Sequence, residues 1–311
     1  MFNIFLAILI PLIIYFINSL IIRKKFIPNF SGNIHQRFLN NKNVPLSGGI
    51  FLSVVLIYIF FNDPTFLKLT IFLIFLIGFF SDINFLTSVK WRFFFQSLTI
   101  FFFVYFSDNI VQSIRIDFLD VYLQNFWISL LFTSFCLMIL INGTNFIDGL
   151  NGLIISYFSI ILYILFILGW TELFFPSNLN HAILLLTVVT LILLNFSNKL
   201  YMGDSGSYVI GFFMGYILIV IYTKYPLISP YFVALLLWYP AFEILFSIVR
   251  KLRTKKSPIE PDNSHLHHLL FFFIEKKFSF KKNTCNNVTS IFIITYNFII
   301  FNISLIDIYF T

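Results

Sequence analysis

The sequence predicts an all-α, polytopic transmembrane helix bundle of about ten spans, forming a single domain over residues 1–311. Three observations predict it. Hydrophobic residues make up 59% of the 311 positions and charged residues only 11%. The resulting mean hydropathy of +0.93 lies far outside the range of soluble globular domains. Apolar runs of about 15 to 22 residues, near the ~20 that a bilayer core demands, recur along the whole chain. The basic residues between them fall almost entirely into alternate loops, as the positive-inside rule requires.

The first run, 2–22, is followed by Arg23, Lys24 and Lys25 and carries no small-residue cleavage site, so it is expected to be a retained span and not a signal peptide. Further runs cover 47–61, 66–80, 93–106, 126–142, 152–170, 181–196, 206–223, 228–249 and 289–308. Several are short, which implies tilt or local thinning of the bilayer. Pro240 is expected to kink the ninth run. Between the fourth and fifth runs, "SIRIDFLDVYL" alternates like a small pair of strands. The stretch 271–288, with Lys276, Lys277, Lys281 and Lys282, reads either as an interfacial segment held against anionic headgroups or as a basic stretch that only enforces topology. Two cysteines, Cys136 in an apolar run and Cys285 in a basic one, point to neither a disulfide framework nor a cysteine metal site.

Seventeen Lys and Arg residues fall in one alternate set of loops and three, Lys68, Arg115 and Lys224, in the other. The first set is therefore expected to be cytoplasmic, with both termini outside. The polar, non-basic segments sort the same way. "NVPLSGGI", "GFFSDI", "NGTNFIDGLNGL", "NKLYMGDSGS" and "SPIEPDNSHLHHLL" all fall on the cytoplasmic side. They are expected to converge on one face.

There, Asp82, Asp148 and Asp204 would offer carboxylates to a hard divalent cation. Lys90, Arg92, Lys199 and the run from Arg250 to Lys256 would offer cations to phosphate oxygens. Mg²⁺ is commonly held by one or two carboxylates plus substrate phosphates, so a phosphate-bearing substrate is the natural inference. Asp204 stands at the expected start of the eighth span, where the helix dipole favours an anion and Ser205 or Ser207 can cap; taken alone, Asp204 is as readily a plain helix cap. Asn142, Asn145, Asp148 and Asn151 recur every three residues, a spacing that stacks polar groups along one side of a helical turn. In "HLHH", His265 and His268 lie one turn apart after Pro258 and Pro261; phosphate contact or general acid/base work suits them better than a zinc site. Glu243, deep in the ninth run, is read first as a structural partner for a neighbouring helix and second as a functional acid.

Together these motifs resemble the polyprenyl-phosphate N-acetylhexosamine-1-phosphate transferases. "VPLSGGI" is similar to that family's VPRxGG, "GFFSDI" to GxxDD, "NGTNFIDGLNGL" to NxxNxxDGLDGL, "YMGDSGS" to FxGDxGS, and "SPIEPDNSHLHHLL" to SPFxPDxxHLHHxL, in order over about residues 35 to 270. The resemblance implies a bundle of ten or eleven membrane helices with a cytoplasmic active-site cleft in the bacterial plasma membrane. There, undecaprenyl phosphate would attack the β-phosphorus of a UDP-N-acetylhexosamine with Mg²⁺ or Mn²⁺ present, releasing UMP and initiating a cell-surface glycan. It implies that Asp204, with Asp148, holds the metal, and that Asp82 is the second acid of GxxDD. By the same resemblance Asn145 and Asp148 line the donor site, Asn151 stands where the family faces the nucleotide, Lys90 sits where the family carries a basic residue, and His265, His267 and His268 contact the donor or its phosphates; Asn142, from its spacing, and Lys199 and Arg250, from their charge, are further expected substrate contacts. The HLHH form resembles the N-acetylglucosamine branch.

Three positions depart from the family pattern. Ser81 replaces the first acid of GxxDD, Asn151 replaces the second acid of DGLDGL, and Leu46 stands where a basic residue is common. A phosphate monoester is already largely ionised near pH 7, so a missing base at Ser81 bears on mechanism more than on activity. The competing expectation is a catalytically inactive relative that binds lipid-linked phosphates, motivated by Ser81 alone. Membrane lipids are expected partners, nucleic acid is not, and a homodimer stands as an alternative to a monomer.

Overall fold

The computed structural model describes residues 2–24, 29–30, 44–61, 65–175, 177–255 and 265–310. Lys25, Lys256, Pro258 and Pro261, all named above, lie outside the described residues. The chain runs through α1 (Phe2–Lys24), β1 (Asn29–Phe30), β2 (Val44–Pro45), α2 (Gly48–Ile59), α3 (Thr65–Asp82), α4 (Val89–Ser107) and α5 (Asp117–Leu123). It continues through α6 (Phe126–Ile147), α7 (Leu153–Ile167), α8 (Asn178–Phe196), α9 (Gly203–Lys224), α10 (Pro230–Leu236), α11 (Trp238–Arg253), α12 (Leu266–Phe278) and α13 (Lys282–Ser304).

Every one of the ten apolar runs is helical, because a run without water to satisfy its peptide groups must satisfy them internally. Among the described residues, five helices are long and apolar enough to cross a membrane: α3, α6, α8, α9 and α13. A sixth is added if α10 and α11 form one span broken by 79°. The chain is a nearly all-helical membrane protein, and α2 and α7 are shorter apolar helices of 12 and 15 residues.

The break in the ninth run falls at Leu237, three residues before the expected Pro240. Pro240 explains it. Its ring clashes with the carbonyl of Leu236, four residues back, and it has no N–H to close that turn, so the helix must restart and Pro240 sits in the first turn of α11. The strand pair expected within 107–125 is absent. Residues 117–123 form α5 instead, because the Asp120 carboxylate accepts from Ile114 N–H at 2.7 Å and Arg115 N–H at 3.1 Å, folding the preceding loop back onto the helix. The β structure among the described residues is the antiparallel pair β1–β2, Asn29 facing Pro45 and Phe30 facing Val44.

The core is built around α9. Of its apolar window 83% is buried, against 28% to 50% in the other four spans. It packs on α2, α3, α6 and α7, and its aromatic face carries Phe212 edge-on to Phe103 at 4.9 Å and Phe213 edge-on to Phe60 at 5.4 Å. Such pairs add about 0.5–1.5 kcal/mol beyond the area they bury. Small residues let backbones approach where helices cross at the start of α9. A Cβ on Gly78 of α3 would stand 2.4 Å from Ser205 Cα, so no larger residue fits without displacing α9. That close crossing sets the end of α3 against the start of α9.

Candidate active site

The segment before α2 docks on the segment before α9 like a short ribbon. Tyr201 N–H donates to Pro45 O at 3.0 Å, Gly48 N–H to Tyr201 O at 3.0 Å and Gly49 N–H to Met202 O at 3.2 Å. Asn18 of α1 ties both down, accepting from the Ser47 hydroxyl at 2.7 Å and donating to Lys199 O at 2.9 Å. "VPLSGG" and "YMGDSGS", more than 150 positions apart, thus form one wall.

Asp204, in the first turn of α9, is held by three helices. Its Oδ2 accepts from the Ser81 hydroxyl of α3 and from Arg92 Nη1 of α4, each at 2.6 Å. Its Oδ1 accepts from Asn145 Nδ2 of α6 at 2.7 Å, and the same amide reaches the Ser207 hydroxyl at 3.1 Å. The side chain remains 26% exposed, so the carboxylate is fixed in orientation and still reachable. Charge-assisted bonds of this length are the strong class.

Asp82 does different work. It is 8% exposed, and its carboxylate accepts from Asp204 N–H at 2.8 Å, Ser205 N–H at 3.1 Å and the Ser205 hydroxyl at 2.7 Å. The first N–H groups of a helix have no partner within it, and here an acid from α3 satisfies them across the bundle. The capping expected of Ser205 or Ser207 is therefore supplied by Asp82, and no side chain caps α9 from its own N-cap position. Gly203 makes this possible. Its φ is +70°, and a Cβ there would lie 2.7 Å from Asp82 Oδ2.

Asp148 follows the end of α6, which runs five residues past the expected 142 so that Asn142 and Asn145 are helical. Its carboxylate accepts no hydrogen bond from the described residues. Burial, then the charges of Asp204 and Asp82, push its pKa well above the usual carboxylate range. The histidines close on this turn from α12. A Cβ on Gly149 would lie 2.7 Å from His267 Nε2 and 3.5 Å from His268 Nε2, and Phe146 meets the His265 ring at 5.2 Å. His267 is fully buried with neither ring nitrogen hydrogen-bonded. Burial, then the neighbouring His268 and His265, hold it well below the usual histidine range, so it is neutral near pH 7.

Three carboxylates thus share one mouth with the Arg92 guanidinium, which is salt-bridged to Asp204 at 2.6 Å. No group of three or more His, Cys, Asp or Glu among them is arranged as a ready-made metal cage. The donor set nonetheless fits a Mg²⁺-like ion, which takes one or two carboxylates and completes its shell with water and substrate phosphate. Asp148 is uncommitted and Asp204 remains partly exposed.

Other expected site residues are placed differently. Lys90 is exposed and touches none of the acids; Arg92, two positions on, does. The Lys199 ammonium sits 5.5 Å over the Tyr15 ring of α1, and the Arg250 guanidinium 5.4 Å over Phe246. On α11 it is Lys251, buried on the same stripe as Glu243 and Ser247, that faces inward. Asn142 donates to Met138 O at 2.9 Å and to Gln96 Oε1 of α4 at 3.2 Å. Glu243 is buried and bound to His265; its signal in the sequence was an acid within an apolar run, which does not name the partner.

Asn151 is buried in an asparagine network. Its Nδ2 donates to Asn198 Oδ1 at 3.1 Å and Asn287 Oδ1 at 2.9 Å, and its own N–H to Asn286 Oδ1 at 2.7 Å. The amide here locks the 148–152 turn to the segment that follows α8 and to α13. Asn151→Asp, although it supplies the acid that the resemblance implies, is expected to cost about 1–3 kcal/mol, because a carboxylate would face two amide oxygens, and turning those amides to donate would give up the bond from the Tyr201 hydroxyl to Asn198 and that from Asn287 to Phe196 O. A melting midpoint at or above that of the unaltered protein would contradict this.

The chain was compared with known proteins. A family model described as Glycosyl transferase family 4 matches residues 64–222, which carry Ser81, Asp82, Arg92, Asn145, Asp148 and Asp204 but not the histidines. The chain is 32% identical over 163 residues to the decaprenyl-phosphate N-acetylglucosaminephosphotransferase of Mycolicibacterium smegmatis, covering 46% of this chain and 40% of that protein. It is 32% identical over 133 residues to the undecaprenyl-phosphate alpha-N-acetylglucosaminyl 1-phosphate transferase of Thermotoga maritima, covering 42% and 39%. The Escherichia coli protein of that name is 33% identical over 144 residues, covering 44% and 39%. The chain thus spans about two fifths of the length of these relatives. With the match extending over half of the chain and centred on the acidic mouth, the protein belongs to glycosyl transferase family 4.

Proposed function

We propose that the protein transfers an N-acetylhexosamine-1-phosphate from a UDP-sugar to a polyprenyl phosphate, undecaprenyl phosphate being the expected acceptor. The observation that carries this reading is Asp204, oriented by Ser81, Arg92 and Asn145 from three helices and open at a mouth shared with the uncommitted Asp148. An oxygen of the lipid phosphate attacks the β-phosphorus, the bond from that phosphorus to the bridging oxygen breaks, and UMP departs with the electron pair. The products are polyprenyl-diphospho-sugar and UMP.

Phosphoryl transfer of this kind depends on positioning and on neutralising oxygen charge. Arg92 stands where it can shift from Asp204 to a diphosphate oxygen. Asp148 and Asp204 would hold Mg²⁺ or Mn²⁺, which would offset the charge of the diphosphate. Asp82 acts by fixing the start of α9, and the neutral His267 and its neighbours form the wall behind Asp148. Ser81 donates to Asp204 and serves as no base; the lipid phosphate, with a second pKa of about 6, needs none near pH 7. About ten crossings with this mouth on the cytoplasmic side of a bacterial plasma membrane agree with the split of Lys and Arg between loops.

Ser81 also motivates a second reading, an inactive relative that binds lipid-linked phosphates. A donor screen on the purified full chain in lipid separates them. With polyprenyl phosphate and Mg²⁺, UMP is expected from a UDP-N-acetylhexosamine, UDP-N-acetylglucosamine first. No UMP from any donor, together with retained lipid-phosphate binding, would establish the inactive form.

A further inference from the structure

Glu243 is a buried acid in the ninth apolar run that the proposed reaction leaves without a role. It is 3% exposed, and both its oxygens are engaged at one point. Oε2 meets Nδ1 of His265 at 2.9 Å, and Oε1 accepts from the backbone N–H of Leu266 at 2.8 Å. His265, 5% exposed, is the N-cap residue of α12, and Leu266 is its first helical residue. One carboxylate on α11 therefore grips both the ring and the backbone at the start of the helix that carries all three histidines.

We propose that Glu243 is a positioning residue that fixes His265 with its proton on Nδ1, leaving Nε2 as the nitrogen that meets the donor diphosphate or moves a proton. A carboxylate is only an acceptor, so the ring must donate through Nδ1 whether it is neutral or charged. The orientation is transmitted onward. The His265 ring lies parallel to His267 at 5.6 Å and edge-on to His268 at 5.5 Å, and the His267 and His268 centroids are 4.2 Å apart. All three rings back onto the turn bearing Phe146, Asp148 and Gly149, so a rotation of His265 would be felt beside Asp148. An acid used only to fill space would not need two converging donors, and one used only as a helix cap would not need the ring.

Glu243→Gln tests this with almost no change of shape. Glutamine has one acceptor oxygen and one donor nitrogen. The Leu266 N–H can only donate, so it keeps the oxygen, and the amide nitrogen is turned toward Nδ1, which must then accept. His265 is therefore expected to move its proton to Nε2.

Two measurements on the full chain in lipid read the outcome. In ¹⁵N-histidine NMR, with the His265 signals assigned by their loss in His265→Gln, the unaltered protein shows a protonated Nδ1 and Glu243→Gln a protonated Nε2. In the UMP assay, which rests on the transferase reading, kcat falls about 10- to 100-fold with a smaller change in KM for the UDP-sugar, the scale known for losing the partner that orients a metal-bound histidine. An unchanged His265 signal in Glu243→Gln would overturn the proposal. So would a kcat per folded molecule equal to that of the unaltered protein, even at reduced stability. If the unaltered protein releases no UMP with any donor, the transferase reading fails and the NMR result alone decides the role of Glu243.

Discussion

Asp204→Asn is expected to lower UMP release by at least about 10²- to 10³-fold while leaving the protein folded, the scale found when one preorganised electrostatic group is removed. The reasoning is local. Oδ2 receives the Arg92 guanidinium and the Ser81 hydroxyl, each at 2.6 Å, and Oδ1 receives Asn145. An amide keeps the shape of the side chain. It either turns its NH₂ against Arg92 or against Asn145, so one strong bond is replaced by two donors facing each other, and the negative charge is lost. The side chain is 26% exposed, so water can take up part of that mismatch and the helix bundle is not threatened. The reaction has no such relief, because the charge that would bind a divalent ion and oppose Arg92 is gone. UMP release per folded molecule, with folding followed by melting midpoint, checks this. A variant retaining more than about a tenth of the activity would place the metal and the diphosphate elsewhere.

Asp82→Ala should be the more damaging change to the fold. Three donors, two N–H groups at the start of α9 and the Ser205 hydroxyl, converge on this carboxylate. A lost helix cap alone costs about 1 kcal/mol. Leaving a fully buried Ser205 without its acceptor adds about 1–3 kcal/mol. The expected loss is therefore about 2–4 kcal/mol, with activity falling along with it because the turn that carries Asp204 is no longer held. Asp82→Asn keeps one oxygen for the helix N–H groups and should fall between the two. The check is thermal unfolding in lipid of both variants. If Asp82→Ala melts with the unaltered protein while its activity disappears, the acid acts on substrate and the capping role assigned here is wrong.

The bundle was legible because apolar runs of this length leave the backbone no alternative to helix. The gathering of Asp82, Asp148 and Asp204 was legible because basic loops assign sides, and the loops carrying the acids share a side. Partner choice was not legible. Asp82 and Asp204 are 122 positions apart, and periodicity says nothing of which one caps which helix. Lys90 and Arg92 have equal claim from their positions, but only Arg92 lies on the face of α4 turned to α9. Asn151 reads as a substitute for a donor-site acid until α13 is folded against it, since its partners Asn286 and Asn287 lie in a segment read only as basic. The break at Leu237 follows from Pro240 by a clash four residues back, a displacement that a simple kink at the proline misses. Glu243 carried a visible signal, a buried acid in an apolar run, whose partner is 22 positions downstream beyond two prolines.

The most direct measurement is UMP release by the purified full chain in lipid with UDP-N-acetylglucosamine and undecaprenyl phosphate, taken with Mg²⁺, then with excess chelator, then with Mg²⁺ restored. The acidic mouth described above predicts release, its loss on chelation and its return. Full activity in excess chelator would contradict it, since three carboxylates facing a diphosphate with no divalent cation between them could not then account for the reaction.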